Sequence, residues 1–405
     1  MNPGLALLLA DTPESLNIPL AMLLVFGAAK LLAEMFERLN QPGIVGEILA
    51  GVLIGPSVLG WISPDAFLHA LSELGVMFLL FQVGLEVRAS ELMKVGRTAL
   101  LVAVLGVIVP FFLGWGILRA WGEPQVESIF TGAAMVATSV GITAQVLAVK
   151  GLLKVRASQI ILAAAVIDDV LGLLVLAMVG SLARGKVNLP GLAVSALLAV
   201  GFTVIVAKWG TWTVARVVPR LEERLRVGEA QFALSIGLLF GLSVLAAYVG
   251  VAAIVGAFLA GMALSESVGN RVRDLSRGVT ELLVPFFLVG IGLHLDLRAL
   301  AQPSTMLLGV VILGAAILSK FIGCGLGALN LGVADAMRVG VGMIPRGEVG
   351  MVVAQIGLGL GVISQHVYGV VVFMAVATTL VAPPLLALAY RNLQGTKEEE
   401  VFRIG

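Results

Sequence analysis

The chain runs to 405 residues, of which 59% are hydrophobic and 13% charged, with a mean hydropathy of +1.05. A soluble globular domain carries about 25% charged residues, so these figures exclude an ordinary water-soluble domain and point to a chain immersed in lipid. The net charge of +1 gives no electrostatic footing for nucleic acid or an acidic partner, and the single cysteine, Cys324, excludes an intrachain disulfide scaffold.

Met1 to Leu16 carries Asp11 and Glu14 but no Lys or Arg. It lacks the basic start of a signal peptide and is expected to stay on the mature protein. Windows of about 20 apolar residues then predict thirteen spans, at 17–38, 43–60, 68–87, 97–121, 127–149, 157–183, 190–215, 229–250, 252–267, 278–295, 304–330, 335–361 and 366–390. The segments 43–60 and 252–267 are short for a full crossing. The expected fold class is an all-α polytopic membrane protein, its 49 glycines suited to close helix packing, with a short charged tail after Tyr390.

Thirteen crossings put the termini on opposite sides. One set of loops holds 18 Lys and Arg residues, from Arg38 and Lys150 to Arg277 and Arg403; the other holds four, Arg119, Arg184, Lys186 and Arg298. The positive-inside bias places the C-terminus in the cytoplasm and the N-terminus outside.

Two halves of the chain resemble each other. Ile44 to Gly51 matches Ile254 to Gly261 at six of eight positions, Glu73 to Leu92 echoes Glu281 to Leu300, and Gly132–Met135 echoes Gly340–Met343. The displacement is seven predicted helices, an odd number, so the second copy crosses in the opposite direction. Inverted-topology repeats mark secondary transporters with a substrate site near the midplane.

Charges deep in a bilayer are costly and usually functional. Asp168 and Asp169 interrupt the apolar run Ile160 to Val179 at roughly 17 Å from the start of their helix, and Lys320 lies roughly 15 Å from the same side in another. Asp168 is either a functional carboxylate or half of a packing ion pair with Lys320. One lysine cannot neutralise two carboxylates, which marks Asp169 more strongly.

Two further spans look interrupted at that depth, at Thr138-Ser139-Val140-Gly141 and at Pro345-Arg346-Gly347-Glu348. Pro345 lacks a backbone donor and Gly347 loosens the helix. Broken helices leave half-helix ends with partial charges, which Arg346 and Glu348 are expected to neutralise. The hydroxyls of Thr138 and Ser139 serve either an ion or a helix carbonyl. Glu34, Glu47, Glu73, Glu86 and Lys30 read as interfacial or paired groups. His69, His294 and His366 are too scattered for a metal site. No phosphate loop, nucleophile triad or zinc spacing is visible, so a transporter is expected rather than an enzyme, with no cofactor.

Na⁺ and Li⁺ are hard cations that prefer oxygen ligands. A carboxylate that takes either a cation or a proton couples their fluxes by competition. Burial favours the protonated form of a carboxylate and the neutral form of an amine, so two aspartates and a lysine suffice for cation–proton exchange.

The stretches Ala164-Ala165-Val166-Ile167-Asp168-Asp169-Val170-Leu171-Gly172, Ala137 to Thr143, Pro345 to Gly350, and Asn40-Gln41-Pro42 with Val45 to Gly51 resemble the cation:proton antiporter-2 family. The resemblance covers essentially the whole chain. It implies an NhaA-like antiporter fold with two crossing broken helices, in a homodimer in the inner membrane of a bacterium. It also implies a dimerisation domain of 17–88 and 229–297, a linking helix at 190–215 and an ion-transport core of 97–183 and 304–390 that moves as an elevator. By the same resemblance Asp169 is the Na⁺-binding carboxylate, aided by Asp168, and Asp168 pairs with Lys320. The aspartate pair favours electrogenic exchange of Na⁺ or Li⁺ over K⁺/H⁺ exchange. A Na⁺-coupled organic-acid symporter and a passive channel are the readings from other classes.

Overall fold

The computed structural model describes residues 14–39, 41–88, 94–183, 229–296 and 302–391, with a subset of 194–216. Fourteen α-helices are assigned among them. They are α1 (Glu14–Arg38), α2 (Gly43–Ile54), α3 (Ala66–Glu86), α4 (Gly96–Trp121), α5 (Gln125–Ala134), α6 (Val140–Val149), α7 (Arg156–Ala183), α8 (Ala230–Tyr248), α9 (Ala253–Leu264), α10 (Asn270–Leu293), α11 (Pro303–Gly327), α12 (Val333–Gly342), α13 (Glu348–Gly359) and α14 (Gln365–Ala389). Eight are long and apolar enough to cross a bilayer: α1, α3, α4, α7, α8, α10, α11 and α14. The chain is a multi-pass membrane protein. The expected linking helix at 190–215 and the charged tail lie largely outside the described residues, although apolar helical turns occur within Leu197–Gly210.

The helices pack in two groups. In one, α3 lies against α9 and α10, α2 against α1 and α10, and α8 against α9. In the other, α4 packs on α5, α7 and α11, and α14 on α11, α12 and α13. Contacts of α3 with α6 and of α14 with α2 join the groups.

Glycines set the closest approaches. A Cβ on Gly46 would strike the Leu32 carbonyl, and one on Gly256 the Leu242 carbonyl. Gly51 abuts Gly292 across α2 and α10, while Gly261 abuts Gly84 across α9 and α3. Gly132 faces the Phe111 carbonyl and Gly340 the Phe321 carbonyl. In each pair of contacts the second repeats the first at a displacement of 208–210 residues.

Two expected boundaries move. The segment 43–60 is helical only to Ile54, where Gly55 turns the chain in extended conformation. The first interrupted span opens at Met135–Ser139, not at Thr138–Gly141. Gly141 instead lies in the first turn of α6. Phe287 and Val76 of the other helix group close over it, so a Cβ there would stand 3.1 Å from each.

Candidate ion-binding site

Asp168 and Asp169 sit mid-way along α7, a 28-residue helix. Its apolar length keeps both in the middle of the membrane-spanning stretch. Asp168 is 1% exposed and Lys320, on α11, is fully buried. The ammonium Nζ donates to Oδ1 at 3.1 Å and to Oδ2 at 3.3 Å. Gly106 of α4 makes room for the pair: a Cβ there would lie 3.3 Å from Nζ and 2.7 Å from the Cys324 sulfur. Removing one partner of such a pair costs about 3–5 kcal/mol, because the other charge stays buried. Asp169 is half-buried and points about 100° further round the helix.

Both broken helices cross beside α7, which packs against α5, α6, α12 and α13. α5 ends at Ala134 and α6 begins at Val140; α12 ends at Gly342 and α13 begins at Glu348. Where the non-helical stretches meet, the Ser139 N–H donates to the Pro345 carbonyl at 2.8 Å. One turn on, the Thr143 hydroxyl donates to the Gly342 carbonyl at 2.7 Å. Gly347 leaves the space that Ser139 occupies, since a Cβ would meet the Ser139 Cβ and Oγ at 2.6 Å.

Arg346 is fully buried in this crossing. Its Nη1 donates to the carbonyl of Met135, and to those of Val136 at 3.1 Å and Ala137 at 3.3 Å. Its Nη2 donates to the Ala316 carbonyl of α11 at 3.1 Å, and its backbone N–H to the Thr378 hydroxyl of α14 at 3.1 Å. The three carbonyls follow the C-terminal end of half-helix α5, where the helix dipole is negative. The guanidinium therefore caps that end. Thr138 is buried, and its hydroxyl has no hydrogen-bond partner among the described residues. Glu348 opens α13, and its side chain lies outside the described residues.

A separate cavity of about 830 Å³ opens between the helix groups, lined by Glu47, Gln82, Glu86, Gln145, Lys150 and Arg277 among others. Asp168, Asp169 and Lys320 do not line it. In its wall, Lys30 donates to the buried Glu47 at 2.9 Å, a pairing of α1 with α2. Elsewhere Glu34 pairs with Arg38 at 2.8 Å. Beyond the end of α14, Tyr390 shares a 3.2 Å hydrogen bond with Ser158 of α7. Burial pushes the Tyr390 hydroxyl up to about 12, partly offset by that bond.

Sequence reasoning missed Thr378, Gly106 and the Lys30–Glu47 pairing. The Thr378-Thr379 doublet in an apolar helix was a usable signal for the first. Nothing in the sequence marks Gly106 among the other glycines.

Residues 21–390 match the family described as sodium/hydrogen exchanger, transmembrane. The chain belongs to that family. The sodium/hydrogen exchanger family is one of transporters, not enzymes. Relatives include the high-affinity Na⁺/H⁺ antiporter NhaS3 of Synechocystis, 34% identical over 95% of this chain and 91% of its own. The Na⁺/H⁺-K⁺ antiporter GerN of Bacillus cereus is 32% identical over 91% of this chain and 95% of its own. A Na⁺/H⁺ antiporter of Enterococcus hirae is 33% identical over 90% and 95%. The fold resembles that of the sodium proton antiporter MjNhaP1 from Methanocaldococcus jannaschii, with a TM-score of 0.67 and 17% identity over 93% of this chain and 97% of that one.

Proposed function

We propose that the protein exchanges Na⁺ or Li⁺ for protons across the inner membrane of a bacterium. The observation that carries this is the fully buried Asp168–Lys320 pair, with a second carboxylate, Asp169, next to it on a helix packed against two crossing broken helices. Asp169 holds either the cation or a proton. The Thr138 hydroxyl is available to the ion. When Na⁺ engages Asp169 it also draws on Asp168, which loosens the hold on Lys320. An ammonium losing its carboxylate in the hydrocarbon favours its neutral form and releases a proton. Two protons then move per Na⁺, and exchange is electrogenic. Arg346 keeps the half-helix ends in place, and no cofactor is required.

The architecture proposed for this work is an inverted repeat in an NhaA-like fold. The glycine contacts that recur at a displacement of 208–210 residues support it. Eight long helices, the two broken pairs α5–α6 and α12–α13, the short α2 and α9, and the apolar stretch 197–210 would make thirteen crossings. An odd count puts the termini on opposite sides, and the Lys and Arg bias of the loops favours a cytoplasmic C-terminus and an outside N-terminus. The group built on α1–α3 and α8–α10 would form the dimerisation domain of a homodimer. The group built on α4–α7 and α11–α14 would be the transport core that slides against it. In that arrangement Gly141 lies on the sliding surface against Phe287 and Val76.

The test is proton flux in proteoliposomes containing the purified chain, with Na⁺, Li⁺ and K⁺ added in turn. Na⁺- and Li⁺-driven flux with little response to K⁺ is expected. A response to K⁺ alone would establish K⁺/H⁺ exchange instead, a possibility kept open by the name of the Bacillus cereus relative. No cation-driven flux at all would sink the proposal.

A further inference from the structure

We propose that a groove between α4, α5 and α7 binds a glycerophospholipid, with an ester carbonyl on Trp115, the phosphate on Arg119 and one acyl chain against the groove wall. The groove encloses about 410 Å³ and is lined by Phe111, Phe112, Ile129 and Val179 together with Trp115. Phe112 is exposed on its outer side, so the groove faces lipid. The Phe112 and Trp115 rings meet edge to face, 6.3 Å between centroids, which makes a stiff apolar wall.

Two polar side chains line the groove, Gln125 and Trp115, and the one left unmatched is the Trp115 indole nitrogen. It is buried and has no acceptor among the described residues. Helix α4 has 26 residues and is therefore about 39 Å long, against a hydrocarbon core of about 30 Å. It overshoots by about 4–5 Å at each end if centred, which puts Trp115, six residues before Trp121, about 4–5 Å inside the core boundary. Water does not reach that level to satisfy a donor, but the ester carbonyl of a lipid does.

Arg119 lies on the same face of α4 one turn nearer the surface. The axial step from Trp115 is about 6 Å, the order of the spacing between an acyl ester and the phosphate of one lipid. Arg119 is exposed and spends one donor on the Glu123 carbonyl at 2.7 Å. Among the described residues it makes no ion pair, because the Glu123 carboxylate is turned to His366 at 3.1 Å. A cation without a carboxylate, set above a largely apolar groove that Trp115 lines with a buried, unmatched donor, is complementary to an anionic amphiphile. On the orientation proposed above, the site faces the outer leaflet.

The test uses the full chain in detergent with dioleoyl phosphatidylglycerol, its dialkyl-ether analogue, and a form brominated on the acyl chain. Native mass spectrometry reads the affinity for the first two, and tryptophan quenching reads the third. The ester lipid is expected to bind wild type about tenfold more tightly than it binds Trp115→Phe, while the ether lipid should bind both alike. Arg119→Gln should weaken the ester lipid comparably, and brominated lipid should quench a component that Trp115→Phe lacks. Trp115 also backs Gly132, so groove-filling Ile129→Phe is a second variant, expected to weaken both lipids. Equal binding of ester and ether lipid to wild type, or a Trp115 component that brominated lipid does not quench, would overturn the proposal.

Discussion

Ser139 and Pro345 are joined by a backbone hydrogen bond of 2.8 Å, from the serine N–H to the proline carbonyl, at the point where two broken helices cross. Neither group has a helical partner, so each satisfies the other at membrane depth, where an unmatched backbone group is costly. The contact requires Gly347, whose missing Cβ is the space filled by Ser139.

Gly347→Ala should therefore force the two chains apart. Overpacking of this kind costs about 1–3 kcal/mol. The expected result is a lower melting temperature in detergent and strongly reduced flux, with Gly347→Val worse than Gly347→Ala. A wild-type melt for both variants would show that the crossing yields freely.

Arg346→Lys is not a conservative change, because a single ammonium cannot span carbonyls of the α5 end and of α11 together. Arg346→Lys should lower the melting temperature, and Arg346→Ala should lower it further by leaving buried carbonyls unmatched, at about 1–3 kcal/mol each. If Arg346→Ala melts like wild type but has lost flux, the arginine acts on the ion and not on the architecture.

Asp169→Asn should abolish exchange and leave the fold intact. The amide neither takes up nor releases a proton, and it brings no charge to the cation. The check is Na⁺-driven proton flux from purified Asp169→Asn protein alongside its melting curve. Retained flux removes Asp169 from the mechanism.

Much of the helical pattern was legible because a bilayer allows few alternatives: backbone groups must be satisfied within each segment, so long apolar runs become helices. Pro345 and Gly347 advertised their break through backbone chemistry. The opening of the other break at Met135 was not legible, since Met135, Val136 and Ala137 have nothing locally against a helix. Their carbonyls are held by Arg346, some 210 residues away. Lys320 and Asp168 could be set at one depth by counting rises along their helices, but which carboxylate it meets depends on the rotation of α7 against α11. The Lys30–Glu47 pair was hidden for the same reason: Glu34 lies one turn from Lys30 in sequence, yet α2 supplies the partner from the neighbouring helix.

Lys320 separates a structural from a transporting role most cleanly. Lys320→Gln leaves the Asp168 carboxylate buried without its partner, which should cost about 3–5 kcal/mol and lower the melting temperature. Asp168→Asn combined with Lys320→Gln removes both charges and should recover part of that loss. The recovery measures the coupling between the two residues. Transport gives an independent readout. If the lysine carries the second proton, an active Lys320→Gln protein exchanges one proton per Na⁺ and moves no net charge. Transient current on a solid-supported membrane should then vanish while proton flux persists. Unchanged current from an active variant would place the second proton elsewhere, on Asp168, and leave Lys320 as a purely structural counter-charge.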